Sequence, residues 1–147
     1  TKKAIAIHPL YHDAFVNLII GYIRTGTLDT AEVVLNKLDN LNKRIVGLKV
    51  ERIEELRDYL ASQYHLKAQR LTNNGKLAEA LFYYRKAAEV KPNKDLYWYD
   101  YGGASYTLKD YKTAIYAWGN CLEINPQHKE ARLGYDILKK SMININK

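Results

Sequence analysis

The chain has 147 residues, of which 47% are hydrophobic and 27% charged, and its formal net charge is +7 at pH 7. This composition excludes a disordered tail, and no apolar run approaches the roughly 20 residues that a membrane-spanning helix needs. A single cysteine, Cys121, excludes an internal disulfide framework. Basic residues are scattered along the chain and mixed with acidic ones. We therefore expect a solvated basic surface rather than a nucleic-acid interface, with an acidic partner as an intermediate alternative.

Two prolines mark a period in the second half of the chain. Pro92 and Pro126 lie 34 residues apart, and similar residues precede each of them. An alanine, an aromatic residue and a small residue recur at matched distances before each proline; these are Ala80 and Ala114, Tyr84 and Trp118, and Ala87 and Cys121. Small residues let two helices approach closely, while large residues fill the gaps between them. The period therefore predicts a repeat architecture whose successive units pack closely.

This pattern resembles the tetratricopeptide repeat, a helical hairpin of 34 residues. The resemblance implies an all-α fold, namely an α-solenoid of helix-turn-helix hairpins closed by a C-terminal capping helix. It covers most of the chain as a single domain. In chain order, we expect the end of a truncated repeat at 1–11, a repeat at 12–45, a helical extension at 46–60, repeats at 61–94 and 95–128, and the capping helix and tail at 129–147.

The first two segments are the least regular. Because Pro9 fits the helix-ending position of a repeat whose beginning is missing, we expect a helix to end there. The chain also lacks an initiator methionine, so we expect it to be processed or cut from a longer protein. The repeat at 12–45 departs from the family pattern at two positions, where Ile19 replaces a small residue and Lys43 replaces the proline.

The extension at 46–60 has apolar residues at helical spacing, and the spacing continues into the next repeat. It predicts one long helix from about Lys43 to Thr72. One interpretation is that this extension packs against its neighbours. The alternative is a projecting arm for docking or dimerisation, which would expose Val50, Ile53 and Leu56.

The resemblance also implies where a ligand would bind, because in this family the first helices of successive repeats line a concave groove. Residues at the groove positions of this chain are Val16, Asn17, Ile20, Ile23, Arg24, His65, Gln69, Thr72, Tyr99 and Tyr106, with Asp13, Ser62, Asn73, Leu96, Gly103 and Thr107 at further such positions. The lysine and asparagine clamp by which some members bind a terminal carboxylate is absent. The groove that remains is apolar and aromatic, which favours an extended or helical peptide.

No catalytic or cofactor motif is present, since the chain has no glycine-rich phosphate loop, nucleophile elbow or paired-histidine helix. We expect Pro9 to keep His8 and His12 off one helix face, so no metal site is predicted there. The sequence thus predicts a scaffold that binds a protein or peptide, not an enzyme, and no cofactor. Two alternatives stay open: self-association through the N-terminal edge or the long helix, and a recruiting region of a larger enzyme such as a membrane-embedded transferase.

Overall fold

A computed structural model describes the backbone of residues 2–44 and 50–145, and the side chains of residues 13–41 and 52–143. The described backbone forms seven α-helices and no strand. The helices are α1 (Lys2–Arg24), α2 (Leu28–Arg44), α3 (Val50–Asn73), α4 (Leu77–Val90), α5 (Asp95–Thr107), α6 (Tyr111–Ile124) and α7 (Lys129–Ile145). The chain divides into two compact units, Thr1–Gln63 and Tyr64–Lys147, which are described separately below.

In the first unit, α1 and α2 form a hairpin around an apolar stripe. Val16, Ile19 and Ile23 recur on α1 at intervals of three and four residues, and all three are buried. The turn after α1 contains Gly26 with a φ of +80°, a conformation that glycine adopts without a steric cost. The Thr25 hydroxyl donates to two carbonyl oxygens at the end of α1, at 3.1 Å each, so the helix terminus is satisfied locally.

The start of α1 differs from the sequence prediction. The helix runs without interruption from Lys2 to Arg24, so the expectation that a helix ends at Pro9 is wrong. The expectation that Pro9 keeps His8 and His12 off one helix face depended on that break, and the side chains of both histidines lie outside the described residues. Proline removes one backbone donor and strains the preceding turn, at a cost of about 3 kcal/mol in a helix interior, but it does not forbid the helix from continuing. Pro9 by itself therefore does not end α1.

The extension before the second repeat packs inward. Ile53, Leu56 and Leu60 of α3 are all buried. The Arg57 guanidinium lies 2.6 Å from the Asp39 carboxylate of α2, and this pair is largely buried. These contacts favour the packed interpretation over the projecting arm, because two of the three apolar residues that such an arm would expose are inaccessible. The side chain of the third, Val50, lies outside the described residues. The predicted continuity of one helix from about Lys43 to Thr72 depends on residues 45–49, which also lie outside the described residues.

In the second unit, one tryptophan fixes the spacing of three helices. An added Cβ at Gly102 of α5 would lie 2.4 Å from the Trp118 ring, and one at Gly134 of α7 would lie 2.5 Å from it. The indole of α6 is thus held between two positions that have no side chain. Its Nε1 donates to the Tyr99 carbonyl at 3.2 Å. The alanines at 80, 87 and 114 and Cys121 are also fully buried in this unit, as expected where helices approach closely.

The two repeat prolines lie where helices end. α4 ends at Val90 and α6 ends at Ile124, in each case two residues before the proline. The carbonyl oxygen of Pro92 accepts a 2.9 Å hydrogen bond from the Trp98 indole, which ties the loop to the start of α5. In this way the Pro92 loop orients α5, one of the helices that carry the site described next.

Candidate functional site

A cavity of about 390 Å³ opens on the second unit, between the C-terminal half of α3, the start of α4 and the length of α5. Its walls carry both aromatic and small residues. They are Thr72, Leu77, Tyr84, Tyr99, Asp100, Gly103, Ala104 and Thr107. A cavity of this size lies within the usual range for ligand sites in proteins, although it is an open groove rather than a closed pocket.

The register of α5 creates this cavity. Tyr99, Gly103 and Thr107 are spaced four residues apart, so they share one face of the helix. An added Cβ at Gly103 would meet no atom within 4 Å, in contrast to the neighbouring Gly102. Gly102 is therefore glycine because Trp118 needs the space, whereas Gly103 leaves the floor of the groove open.

Side-chain hydrogen bonds hold the walls in place. His65 Nε2 of α3 lies 2.6 Å from the Asp100 carboxylate of α5, and both side chains are half-buried. The Thr72 hydroxyl lies 3.0 Å from the Tyr84 hydroxyl, which links α3 to α4. The His65 ring also lies 5.1 Å from the Tyr97 ring. These bonds pre-organise the groove, which lowers the conformational entropy that a ligand must remove on binding.

Tyr99 provides a polar group that stays neutral. Burial, followed by the nearby carboxylates of Glu130 and Asp100, raises the pKa of the Tyr99 hydroxyl above its ordinary value. The His128 ring lies 4.6 Å from the tyrosine ring and covers part of it. Tyr99 therefore presents a protonated hydroxyl, which can donate to or accept from a ligand, next to an aromatic face.

The structure brings together the predicted groove residues of the second unit only in part. Thr72 and Tyr99 line the cavity, and His65 reaches it through Asp100. Gln69 is exposed on α3 between His65 and Thr72. Tyr106 is exposed, but its ring lies 5.7 Å from Tyr111 and 5.8 Å from Trp118, so it belongs to the side of α5 that faces α6.

The predicted groove residues of the first unit fall into two groups. Asn17 and Arg24 are exposed on α1, and Ile20 is half-buried. Val16 and Ile23 are buried in the core, so they present no surface to a ligand. The reason is the apolar stripe of α1, since these two side chains share with Ile19 the face that the core covers.

Four lining residues were absent from the predicted set, namely Leu77, Tyr84, Asp100 and Ala104. Leu77 and Tyr84 come from α4, the second helix of the hairpin, whereas the prediction considered first helices only. Asp100 follows Tyr99 directly and occupies the same place in its repeat as Asn17 does in the first repeat. Had this position been included in the predicted groove for every repeat, Asp100 would have been identified. An asparagine at this position often contacts a ligand in this family.

The comparisons with known proteins agree with this architecture. The family model described as tetratricopeptide repeat matches residues 61–94, which confirms the resemblance seen in the sequence. The chain is similar in structure to the C-terminal TPR-containing domain of a Plasmodium falciparum protein assigned as FK506-binding, with a TM-score of 0.53. The two sequences are 12% identical, and the match covers 92% of this chain and 90% of that chain. At this identity the likeness shows the fold alone, and it confirms the predicted all-α class. None of the curated protein sequences matches the chain.

Across residues 2–44 and 50–145, none of the helices combines the length and the apolar character that crossing a membrane requires.

Proposed function

We propose that the chain is a protein-interaction scaffold that binds a peptide segment in the groove between α3 and α5. The proposal starts from the match of residues 61–94 to the tetratricopeptide repeat. The observation that carries the proposal is the open floor at Gly103, flanked by the Tyr99 and Thr107 side chains. A helix that leaves space beside an aromatic wall can accept a side chain from an extended or helical peptide.

The groove also limits the chemistry of this peptide. Asp100 is the one charged residue among those that line the described cavity, and its carboxylate already accepts from His65. A carboxylate of the ligand would be repelled by it, while an amide N–H or a basic side chain could donate to it. The proposal therefore places a neutral or basic segment in the groove, and it does not assign the acidic partner to this site.

Filling the groove tests the proposal. Gly103→Leu should project a side chain into the cavity without entering the core, because nothing lies within 4 Å of its Cβ position. Glu123→Leu adds the same side chain at an exposed position of α6 that does not line the cavity, and it is the matched control. Peptides selected from a displayed random library on the wild-type chain serve as the probe.

We expect Gly103→Leu to weaken the selected peptides by at least about tenfold, the loss of one well-packed apolar contact, while Glu123→Leu leaves their affinity unchanged. Tyr99→Ala should weaken them similarly. Circular dichroism should show that each variant keeps its helices. Peptides that bind both variants as tightly as the wild type would refute the groove as the binding site.

A further inference from the structure

Helix α7 has a second apolar face that nothing in the described structure covers. Ala131 and Leu138 are buried against the preceding helices, whereas Leu133 and Ile137 remain 65% and 53% exposed. Leu133 and Ile137 are four residues apart, so they lie side by side on one face of the helix. Together they form the apolar centre of a surface with a shallow depression, whose volume is about 470 Å³.

Charged residues surround this apolar centre, and most of them are basic. Lys129, Arg132, Asp136 and Lys140 line the same surface, which gives three positive charges and one negative charge. The negative charge is already engaged, because Asp136 lies 3.9 Å from Arg132 on the same helix. Among the side chains that the structure describes, Lys129 and Lys140 make no ion pair. The surface is therefore apolar in the middle, and at each end it carries a lysine that makes no ion pair with a described side chain.

A helix packed beside α7 would meet these groups in a regular order. Partner residues at intervals of three and four would contact Leu133 and Ile137, and residues flanking them would approach Lys129 and Lys140. Acidic residues at the flanking positions would pair with the two lysines, since ion pairs along a helix seam select the partner. We propose that the Leu133–Ile137 face of α7 is a docking surface for an acidic amphipathic helix of another protein. It is distinct from the groove and does not depend on it.

The charges argue against the two other occupants. A second copy of this chain would bring together two faces of the same sign, each with a net charge of +2 from three basic residues and one acidic residue. An anionic membrane would meet only two apolar side chains, with Asp136 placed between the basic residues. Stable binding of an interfacial helix needs a wider apolar face than this one.

Designed peptides test the proposal directly. The probe is a panel of helical peptides with leucines at intervals of three and four residues and glutamates beside them, and the control is the same panel with lysine in place of glutamate. Fluorescence anisotropy would measure their binding to the full chain. We expect the acidic peptides to bind at least about tenfold more tightly than the basic ones. This difference in affinity should disappear as the salt concentration rises from about 50 to about 500 mM, because salt screens exposed charges.

Variants on α7 assign the binding to this surface. Leu133→Ser with Ile137→Ser should weaken the acidic peptides at least about tenfold, and Lys129→Glu with Lys140→Glu should reverse the preference toward the basic peptides. These side chains are exposed, so thermal unfolding should change little. Gly103→Leu, which fills the groove, should leave this binding intact.

Three outcomes would overturn the proposal. One is equal binding of acidic and basic peptides, or no binding of either. Another is a dimer, seen by analytical ultracentrifugation, that the Leu133→Ser and Ile137→Ser changes dissociate. The third is co-sedimentation with vesicles containing phosphatidylserine, sensitive to the same changes, in the absence of peptide binding.

Discussion

Adding one methyl group at Gly102 should destabilise the second unit, whereas the same change at Gly103 should stabilise it. The two glycines are adjacent on α5, and both lie inside the helix. At Gly102 the added Cβ would be 2.4 Å from Cδ1 and 2.5 Å from Nε1 of Trp118. At Gly103 it would meet nothing within 4 Å. The pair thus separates the effect of packing from the effect of helix propensity.

The expected magnitude follows from these distances. Favourable carbon contacts lie at about 3.5–4.0 Å, so the indole would have to retreat by more than roughly 1 Å. It cannot do so freely, because its opposite edge already occupies the space where a side chain of Gly134 would be. Overpacking of this kind costs about 1–3 kcal/mol. Both variants share the gain of about 1 kcal/mol for replacing glycine by alanine in a helix, so their difference should equal the packing cost of about 1–3 kcal/mol.

Urea unfolding followed by tryptophan fluorescence measures this difference. The chain has two tryptophans, Trp98 and Trp118, and both lie in the second unit, so the signal reports on that unit. In a Trp118→Leu background, followed by circular dichroism, the difference between the two alanine variants should largely disappear. The reasoning is refuted if Gly102→Ala is as stable as Gly103→Ala, or if the difference persists without the indole.

Three further predictions concern separate features. Burial, together with Asp95 and Asp100, raises the pKa of the Cys121 thiol from 9.0 to about 11. The stability that the protonated thiol contributes is therefore present below pH 9 and is lost as pH rises toward 11. The unfolding free energy of Cys121→Ala should fall less steeply than that of the wild type over this pH range. A double-mutant cycle on Arg57 and Asp39 should give a coupling of about 1 kcal/mol, because this 2.6 Å pair is largely buried and crosses two helices. Gly75→Ala should lower the unfolding free energy by about 1 kcal/mol, since its φ of +77° strains any side chain, and urea titration would detect the loss.

The sequence predicted the hairpins because their determinants are local or periodic. Trp118, Ala114 and Cys121 stand at matched positions of a 34-residue pattern, and helix packing uses each of them as that pattern implies. Helix ends were predictable only where competing effects were weak. Pro126 follows the end of α6, but Pro9 lies within α1, since the cost of one proline can be outweighed by the rest of a 23-residue helix.

The start of α7 shows a different limit of sequence reasoning. His128 caps this helix, with its Nδ1 accepting from the Ala131 backbone N–H at 3.2 Å, although histidine is not among the residues that usually cap a helix. Asn125, three residues earlier, belongs to a residue type that caps helices more often. Its side chain instead donates to the Asp95 carboxylate at 2.9 Å and accepts from the Gln127 backbone N–H. The choice between them depends on tertiary contacts that the local sequence does not contain.

The candidate site was predicted in outline, because the positions that face a groove follow from helix periodicity. What periodicity does not supply is which neighbour covers a given face. Ile23 and Thr72 occupy the same position in their repeats, yet Ile23 is buried in the core and Thr72 lines the cavity. The position of Asp100 in its repeat marks it as a groove candidate, but periodicity does not indicate its contact with His65, which lies 35 residues earlier in the chain.

The distribution of charge gives the two proposed surfaces different roles. The net charge of +7 leaves an acidic partner as one alternative for the chain as a whole, but the cavity between α3 and α5 contains one charged lining residue, and it is acidic. The basic excess with an apolar centre lies on α7, around Leu133 and Ile137. Because opposite charges select different ligands, a neutral or basic peptide in the groove and an acidic helix on α7 would not compete for one site. A chain with two such surfaces could hold both ligands at once, and peptides of the two kinds should then bind to the wild type independently.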